Sequence, residues 1–301
     1  MDAITRDTVL VTGATGFIGK RLIAALHDYP GNVRCMVRRP TELPAGIQSV
    51  LGDVLDKTSL LAALQGVHTA YYLVHSMGGD GQDFESKDRQ AALNFVQAAE
   101  ETGVSRIIYL GGLGKREDQL SHHLASRIEV AEILQSTKVR TTFLRAAVII
   151  GAGGASYEML KSLVERLPVM VTPRWVETRS QPIAVDDVIA YLRGCLLCSE
   201  TTGQTLDIGG PEILTYRQMM ERFATILGRR RFIIPVPFLT PKLSAYWLRL
   251  VTPVSYGIAS ALIDGLKNEV ICENDTIKQL IPLSLTSYDD AVRQALGIYK
   301  N

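Results

Sequence analysis

Residues Thr8–Gly19 read TVLVTGATGFIG. Thr8–Thr12 is a short apolar run rich in β-branched residues, the pattern of a buried strand. Gly13-Ala14-Thr15-Gly16-Phe17-Ile18-Gly19 then spells G-x-x-G-x-x-G. From Phe17 to His27 apolar residues recur at helical spacing, until Pro30 and Gly31 stop them. Val33–Val37 predicts the next strand, so the segment is a βαβ unit. In that setting the three glycines serve a tight turn, the close approach of a pyrophosphate, and the close packing of helix on strand. The helix start adds amide donors and a favourable dipole. A dinucleotide site is therefore expected at Gly13, Thr15, Gly16, Phe17, Ile18 and Gly19.

The alternation continues outward. Strands are predicted at Ser49–Leu51, Thr69–Val74, Arg106–Leu110 and Arg140–Leu144. Helices are predicted at Thr58–Leu64, Phe84–Thr102 (ended by Gly103) and Ser121–Gln135. The strand runs are nearly continuous in apolar residues, as a sheet covered on both faces requires. The expected fold class is α/β: a Rossmann-type, doubly wound parallel sheet with a small irregular C-terminal lobe. Residues 1–150 form the nucleotide domain and 151–301 the smaller lobe shaping a cleft, with later segments free to return to the sheet. In that lobe helices are expected at Ser156–Leu167, Asp186–Cys198 and Tyr216–Leu227, and a strand at Thr205–Ile208. Pro168–Pro173 is apolar and bounded by prolines. Prolines recur between Ile233 and Val254.

The second strand ends Arg38-Arg39-Pro40, where sites selective for NAD place an acidic residue on the ribose 2′-hydroxyl. An arginine there clamps a 2′-phosphate through charge-assisted hydrogen bonds. NADP(H) is accordingly favoured over NAD(H), with Arg38 and Arg39 as the candidate readers.

Composition bounds the rest. The chain has 301 residues, 47% of them hydrophobic and 21% charged, which excludes global disorder. Its 32 Lys+Arg balance 31 Asp+Glu, giving no electrostatic reason to expect nucleic acid. Cys35, Cys195, Cys198 and Cys272 form no spaced framework. Cys195-x-x-Cys198 lies in a helical pattern without a second ligand pair, so no metal site is expected. A reducing, cytoplasmic compartment fits these thiols. No signal peptide is expected from the residues ahead of the first strand, and no membrane span is expected, since no apolar run approaches the needed length.

TGATGFIG, followed by Gly52-Asp53-Val54, resembles the short-chain dehydrogenase/reductase superfamily in its extended and atypical branches. NFVQAAEETGVSRIIYLGG, FLRAAVIIG (143–151), QPIAVDDV (181–188) and DIGGPEILTYRQM (207–219) extend the resemblance over almost the whole chain. It implies that Asp53 and Val54 hold the adenine. It also implies that Leu73, Val74 and His75 line the nicotinamide-side ribose. Family enzymes carry Tyr-x-x-x-Lys on the helix after the fifth strand. Matching SRIEVAEIL to that helix puts His123 at the Tyr position and Arg127 at the Lys position, while Gly111-Gly112-Leu113-Gly114 stands where the family has Ser or Thr. This departure, with YYLVHSMGG, HLASR and LPVMVTPRWVETRSQPIAV, is similar to the bacterial YbjT-like subgroup, which keeps the nucleotide fold and loses the standard catalytic set.

His123 and Arg127 share a helix face, and a neutral histidine beside an arginine still polarises a carbonyl. They are the candidate catalytic pair. His75 and Ser76 stand in a loop at the carboxyl ends of the strands, where open α/β sheets bind ligands. Tyr71 and Tyr72 read as strand packing on opposite faces. Arg145 is placed to reach the cleft. Arg174, Trp175 and Arg179 suit either an anionic or flat substrate or a solvated loop. Pro237–Pro253 packs the lobe or, as the minority reading, touches a membrane or a greasy substrate. Four functions stay open: an NADP-dependent oxidoreductase on a small carbonyl or quinone-like molecule; a non-catalytic NADP(H) sensor or regulator; an accessory or assembly protein; and a sugar-nucleotide epimerase or dehydratase. The missing Tyr and Lys count against the last. A homodimer through long helices is an arrangement the superfamily implies.

Overall fold

The computed structural model describes residues 7–75, 83–114, 122–236 and 268–298. The first half alternates β1 (Thr8–Val11), α1 (Phe17–Ala25), β2 (Asn32–Val37), β3 (Gln48–Leu51), α2 (Lys57–Leu64), β4 (Thr69–Tyr72), α3 (Asp83–Thr102), β5 (Arg106–Gly112), α4 (His122–Gln135) and β6 (Arg140–Ala146). Then follow β7 (Ile149–Ile150), α5 (Ala155–Arg166), β8 (Val169–Pro173), β9 (Arg179–Ser180), β10 (Ile183–Ala184), α6 (Val185–Leu197) and β11 (Thr205–Ile208). The described chain closes with β12 (Leu214–Thr215), α7 (Tyr216–Ile226), β13 (Phe232–Val236), α8 (Thr276–Leu280) and α9 (Tyr288–Leu296).

Seven strands form one sheet in the order β11-β6-β5-β4-β1-β2-β3. Every pairing in it is parallel. Parallel strands need crossovers, and the crossover helices cover both faces, which is why all seven residues of β5 are buried. One face packs against α1 and α6 through Leu22, Ile23, Val188 and Leu192. The other packs against α2, α3 and α4 through Leu60, Phe95, Ala99 and Leu134. Tyr71 and Tyr72 bury on these opposite faces, as strand alternation requires. The chain reverses direction across the sheet between β1 and β4, and a crevice opens at their carboxyl ends.

Beyond residue 150, α6 and β11 return to this sheet, with β11 extending it beside β6. A separate core gathers α5, α7 and α9 around Tyr157, Leu160, Met219, Phe223 and Val292. Local signals set its helix ends. Thr215 and Gln218 form a reciprocal capping box on α7. Ser287 caps α9, and Gly297 at φ 71° ends it. The proline-bounded run 168–173 is β8, and it pairs in parallel with β13. Pro235 sits in β13 without harm because this two-stranded ribbon leaves each strand an open edge. Pro237–Pro253, Ser76, Gly78 and Gly79 lie outside the described residues. Among those that are described, no helix is long and apolar enough to cross a membrane.

Candidate active site

The glycine loop is built against the end of β4. Thr12 donates both its amide and its hydroxyl to Tyr71 O (3.0 and 2.9 Å), and its Oγ1 accepts the Leu73 amide at 3.1 Å. With the two chains laced together, Gly13 turns at φ 64°. A Cβ there would stand 2.5 Å from the Leu73 carbonyl oxygen. A Cβ at Gly19 would collide with the Gly13 carbonyl. The first and third glycines of the motif thus bring β1, α1 and β4 together. Gly16, at the N-cap of α1, gives its amide to Gly13 O at 2.9 Å. Neither a capping side chain nor an acidic residue meets the first turn of α1. The amides of Phe17, Ile18 and Gly19 are therefore left for an anion, and a dinucleotide's phosphates fit this cradle.

A cleft of about 370 Å³ runs from this loop across the ends of β4, β5 and β6 to the start of α5. Gly13, Gly16, Phe17, Ile18, Gly19, Leu73, Val74 and His75 all line it, so most of the expected cofactor residues converge. Thr15, Arg38, Arg39, Asp53 and Val54 stand outside its lining. Thr15 is exposed on the loop, and Arg38 and Arg39 are exposed just past the end of β2. Neither arginine side chain engages another described residue, which leaves both guanidiniums available to a ligand. Asp53 and Val54 are fixed from below. Asp53 gives its amide to Ser59 Oγ at 2.9 Å. Asn94 donates its side-chain amide to the carbonyls of Val54 and Leu55 at 3.1 and 3.0 Å.

The far wall is largely apolar, with Val148, Met159 and Leu160 from the core around α5 and α7. No carboxylate lines the cleft among the described residues. Gly111 and Gly112 form its floor. A Cβ at Gly111 would lie 2.6 Å from the Phe143 ring and 2.9 Å from the Tyr109 ring, and at Gly112 it would meet Leu124 at 2.9 Å. Packed side chains thus occupy the space of a serine or threonine side chain. Tyr109 stacks on Phe143 at 5.1 Å and donates its hydroxyl to Arg127 O at 3.2 Å. Burial pushes its phenol up to about 12, against the pull of Arg127.

Arg127 projects from α4 into this cleft, and its buried Nε has no hydrogen-bond partner among the described residues. His123 lies one turn earlier on α4, and its side chain lies outside the described residues. His75 also reaches the cleft, with Nδ1 2.8 Å from Asp88 Oδ2. Asp88 is buried on α3, with Ser126 Oγ 3.5 Å from the same oxygen. Burial, then the charge of Arg127, lowers the imidazole below its ordinary range, while Asp88 opposes both. Residue-type reasoning misses Asp88 and Tyr109. The signal for Asp88 is its register: a carboxylate on the same helical stripe as Ala91, Ala92, Phe95 and Ala99, all buried.

Arg145 does not reach the cleft. It lies inside β6, where its Nε pairs with the buried Asp207 of β11 at 2.6 Å, and a second nitrogen lies 3.5 Å from Glu273. Asp207 also accepts the Glu273 amide at 3.0 Å, so the group ties the last sheet strand to the chain before α8. Arg179 is held on the surface by Glu269 at 2.7 and 2.9 Å. Arg174 and Trp175 begin a 3-10 turn at 174–177, and their side chains are outside the described residues.

Residues 13–166 match the model of an NAD(P)H-binding family. The match spans more than half of the chain, which belongs to that NAD(P)H-binding family. Among curated relatives it is 28% identical over 253 residues to the divinyl chlorophyllide a 8-vinyl-reductase of Zea mays. That match covers 77% of this chain and 62% of the maize protein, so the chain spans under two thirds of that relative. It is 27% identical over 232 residues to a (4-alkanoyl-5-oxo-2,5-dihydrofuran-3-yl)methyl phosphate reductase of Streptomyces griseus, covering 73% and 74%. Among solved structures, an NADPH-dependent quinone oxidoreductase of Escherichia coli complexed with NADPH superposes with TM-score 0.78 at 21% identity, over 96% and 99% of the chains. The triphenylmethane reductase of Citrobacter complexed with NADP(H) gives 0.76 at 21%, over 95% and 99%. At that identity the two structures speak for the fold.

Proposed function

We propose that this protein is an NADPH-dependent reductase of a small, flat, conjugated carbonyl compound, a quinone being the representative case. One observation carries the reading: a single cleft joins the uncapped start of α1 to a largely apolar wall, with Arg127 and His75 as its cationic or titratable nitrogen groups. The phosphates rest on the amides of Phe17, Ile18 and Gly19, and Asp53 and Val54 flank the adenine. Arg38 and Arg39 contact the 2′-phosphate, which an acidic residue in their place would repel. Leu73, Val74 and His75 border the nicotinamide-side ribose. Bound NADPH supplies the hydride. Arg127 faces the substrate oxygen and stabilises negative charge there, where little water screens it. The apolar wall holds the ring system and excludes water. The free cysteines fit a cytoplasmic setting.

A sensor that holds NADP(H) without turning it over is the second reading, favoured by the hydroxyl-free floor at Gly111 and Gly112. Steady-state oxidation of NADPH with menadione and 9,10-phenanthrenequinone separates the two. The reductase reading expects saturable turnover that Arg127→Leu lowers about 100-fold or more, the usual weight of one charge-stabilising donor. Tight NADPH binding with no turnover of either quinone leaves the sensor reading.

A further inference from the structure

Asp88 carries a carboxylate into the packed face of α3, where its side chain keeps 5% of its surface. Burying an ionised carboxylate costs several kcal/mol unless it is paired. Here it stands 2.8 Å from Nδ1 of His75, a ring that keeps only 14% of its surface and lines the cleft. We propose that His75 and Asp88 form the proton-delivering pair of this site, with Asp88 orienting the ring and Nε2 of His75 protonating the substrate oxygen. The proposal rests on the reductase reading above and names the acid that reading lacks.

The geometry fits the division of labour in histidine–carboxylate pairs. A carboxylate on Nδ1 fixes that nitrogen as the donor to it, and proton exchange with the substrate then falls to the opposite nitrogen. Among the described residues, two charged groups act on His75, and Tyr109 lines the same cleft. Asp88 on α3 favours the imidazolium, and Arg127 on α4 opposes it. Tyr109 on β5 stays a neutral phenol, held up near 12. At rest the ring is therefore mostly neutral near pH 7, and its protonated form is a stronger acid than an exposed histidine. Negative charge on a nearby substrate oxygen offsets the repulsion from Arg127 and draws a proton to the ring.

The step balances. The carbonyl carbon gains a hydride, with its electron pair, from reduced nicotinamide. The C=O π pair moves onto oxygen. That oxygen bonds the proton released by the Nε2–H bond, and the imidazole is left neutral, to be reprotonated from water. NADP⁺ and the alcohol or hydroquinone-level product remain. Tyr109 does not serve, because its hydroxyl is engaged by Arg127 O.

The test compares wild type, His75→Gln, Asp88→Asn and His123→Gln. Three readouts are taken: NADPH affinity by fluorescence, single-turnover reduction of 9,10-phenanthrenequinone across pH, and ¹⁵N NMR of the histidine rings with and without NADP⁺. His75→Gln should lower the reduction rate at least about 100-fold, the usual weight of a general acid, while NADPH affinity changes less than about fivefold. Wild-type reduction should slow as pH rises through the His75 titration, and His75→Gln should be flat there. Asp88→Asn should lower the rate and shift the ring from its Nδ1–H form. NADP⁺ should perturb the His75 ring signals. Turnover that survives His75→Gln, or loss carried by His123→Gln alone, overturns the proposal and leaves the reductase reading standing. A wild-type ring in the Nε2–H form at neutral pH, or one that ignores saturating NADP⁺, also overturns it. Absent wild-type turnover with NADPH bound overturns the reductase reading, and the acid role with it.

Discussion

Replacing Gly13 with alanine should cost about 2–4 kcal/mol of folding stability in the nucleotide-free protein. Two contributions separate cleanly. The first is the left-handed backbone at φ 64°. It costs a non-glycine residue roughly 1–2 kcal/mol, offset by roughly 0.4–1 kcal/mol because alanine stiffens the unfolded chain. Gly66 shares that conformation, at φ 71°, with open space around its Cβ position, so Gly66→Ala measures this part alone. The second is steric. At Gly13 the added carbon lies 2.5 Å from the oxygen and 2.8 Å from the carbon of the Leu73 carbonyl. Leu73 cannot retreat cheaply, because its amide is held by Thr12 Oγ1, and Thr12 in turn is bonded twice to Tyr71 O. Overpacking of this kind costs roughly 1–3 kcal/mol. Urea denaturation followed by fluorescence reads both variants, and a shifted midpoint at constant slope identifies a change in stability. Equal losses at Gly13 and Gly66 would refute the close packing of the glycine loop on β4.

Three further outcomes are expected. Arg145→Met should destabilise by about 3 kcal/mol, because it strands the buried Asp207 carboxylate. Adding Asp207→Asn should restore part of the loss in the same denaturation assay. Asn94→Ala removes the donor to the carbonyls of Val54 and Leu55, the segment proposed to flank the adenine. A loss of about 1–3 kcal/mol in stability, with weaker NADPH binding by titration, is the expected result. Burial holds the thiols of Cys35 and Cys272 up near 12 and that of Cys195 up near 11. A raised thiol pKa keeps these groups protonated at pH 8, so alkylation followed by peptide mapping should label Cys198 first.

The parallel sheet was readable because its central strands carry local apolar runs, and the glycine motif fixes which strand begins the nucleotide crevice. The two-residue strands β7, β9, β10 and β12 were not, since two residues establish no period. β8 was readable as an apolar run but not as a strand, because its partner β13 arrives some 60 residues later in the chain. At the site, the same distinction recurs. Gly13, Gly16 and Gly19 announce themselves by spacing, and Arg127 by its place in a helix pattern. Asp88 is legible only through its register with Ala91, Ala92, Phe95 and Ala99, because a charged residue in a helix ordinarily faces water. Arg145 misled in the opposite direction. A cation at a strand end suggests a ligand, but its partner Asp207 lies 62 residues away in sequence on the neighbouring strand.

Everything proposed for the cleft depends on a glycine cradle that binds NADPH with Arg38 on the 2′-phosphate. Fluorescence titration of the purified protein with NADPH and NADH, repeated on Arg38→Ala, reads that binding without any substrate. NADPH should bind at least about tenfold tighter than NADH, and the substitution should remove about 1.4 kcal/mol of that preference. Failure of both nucleotides to bind, or a preference that Arg38→Ala leaves untouched, would contradict it.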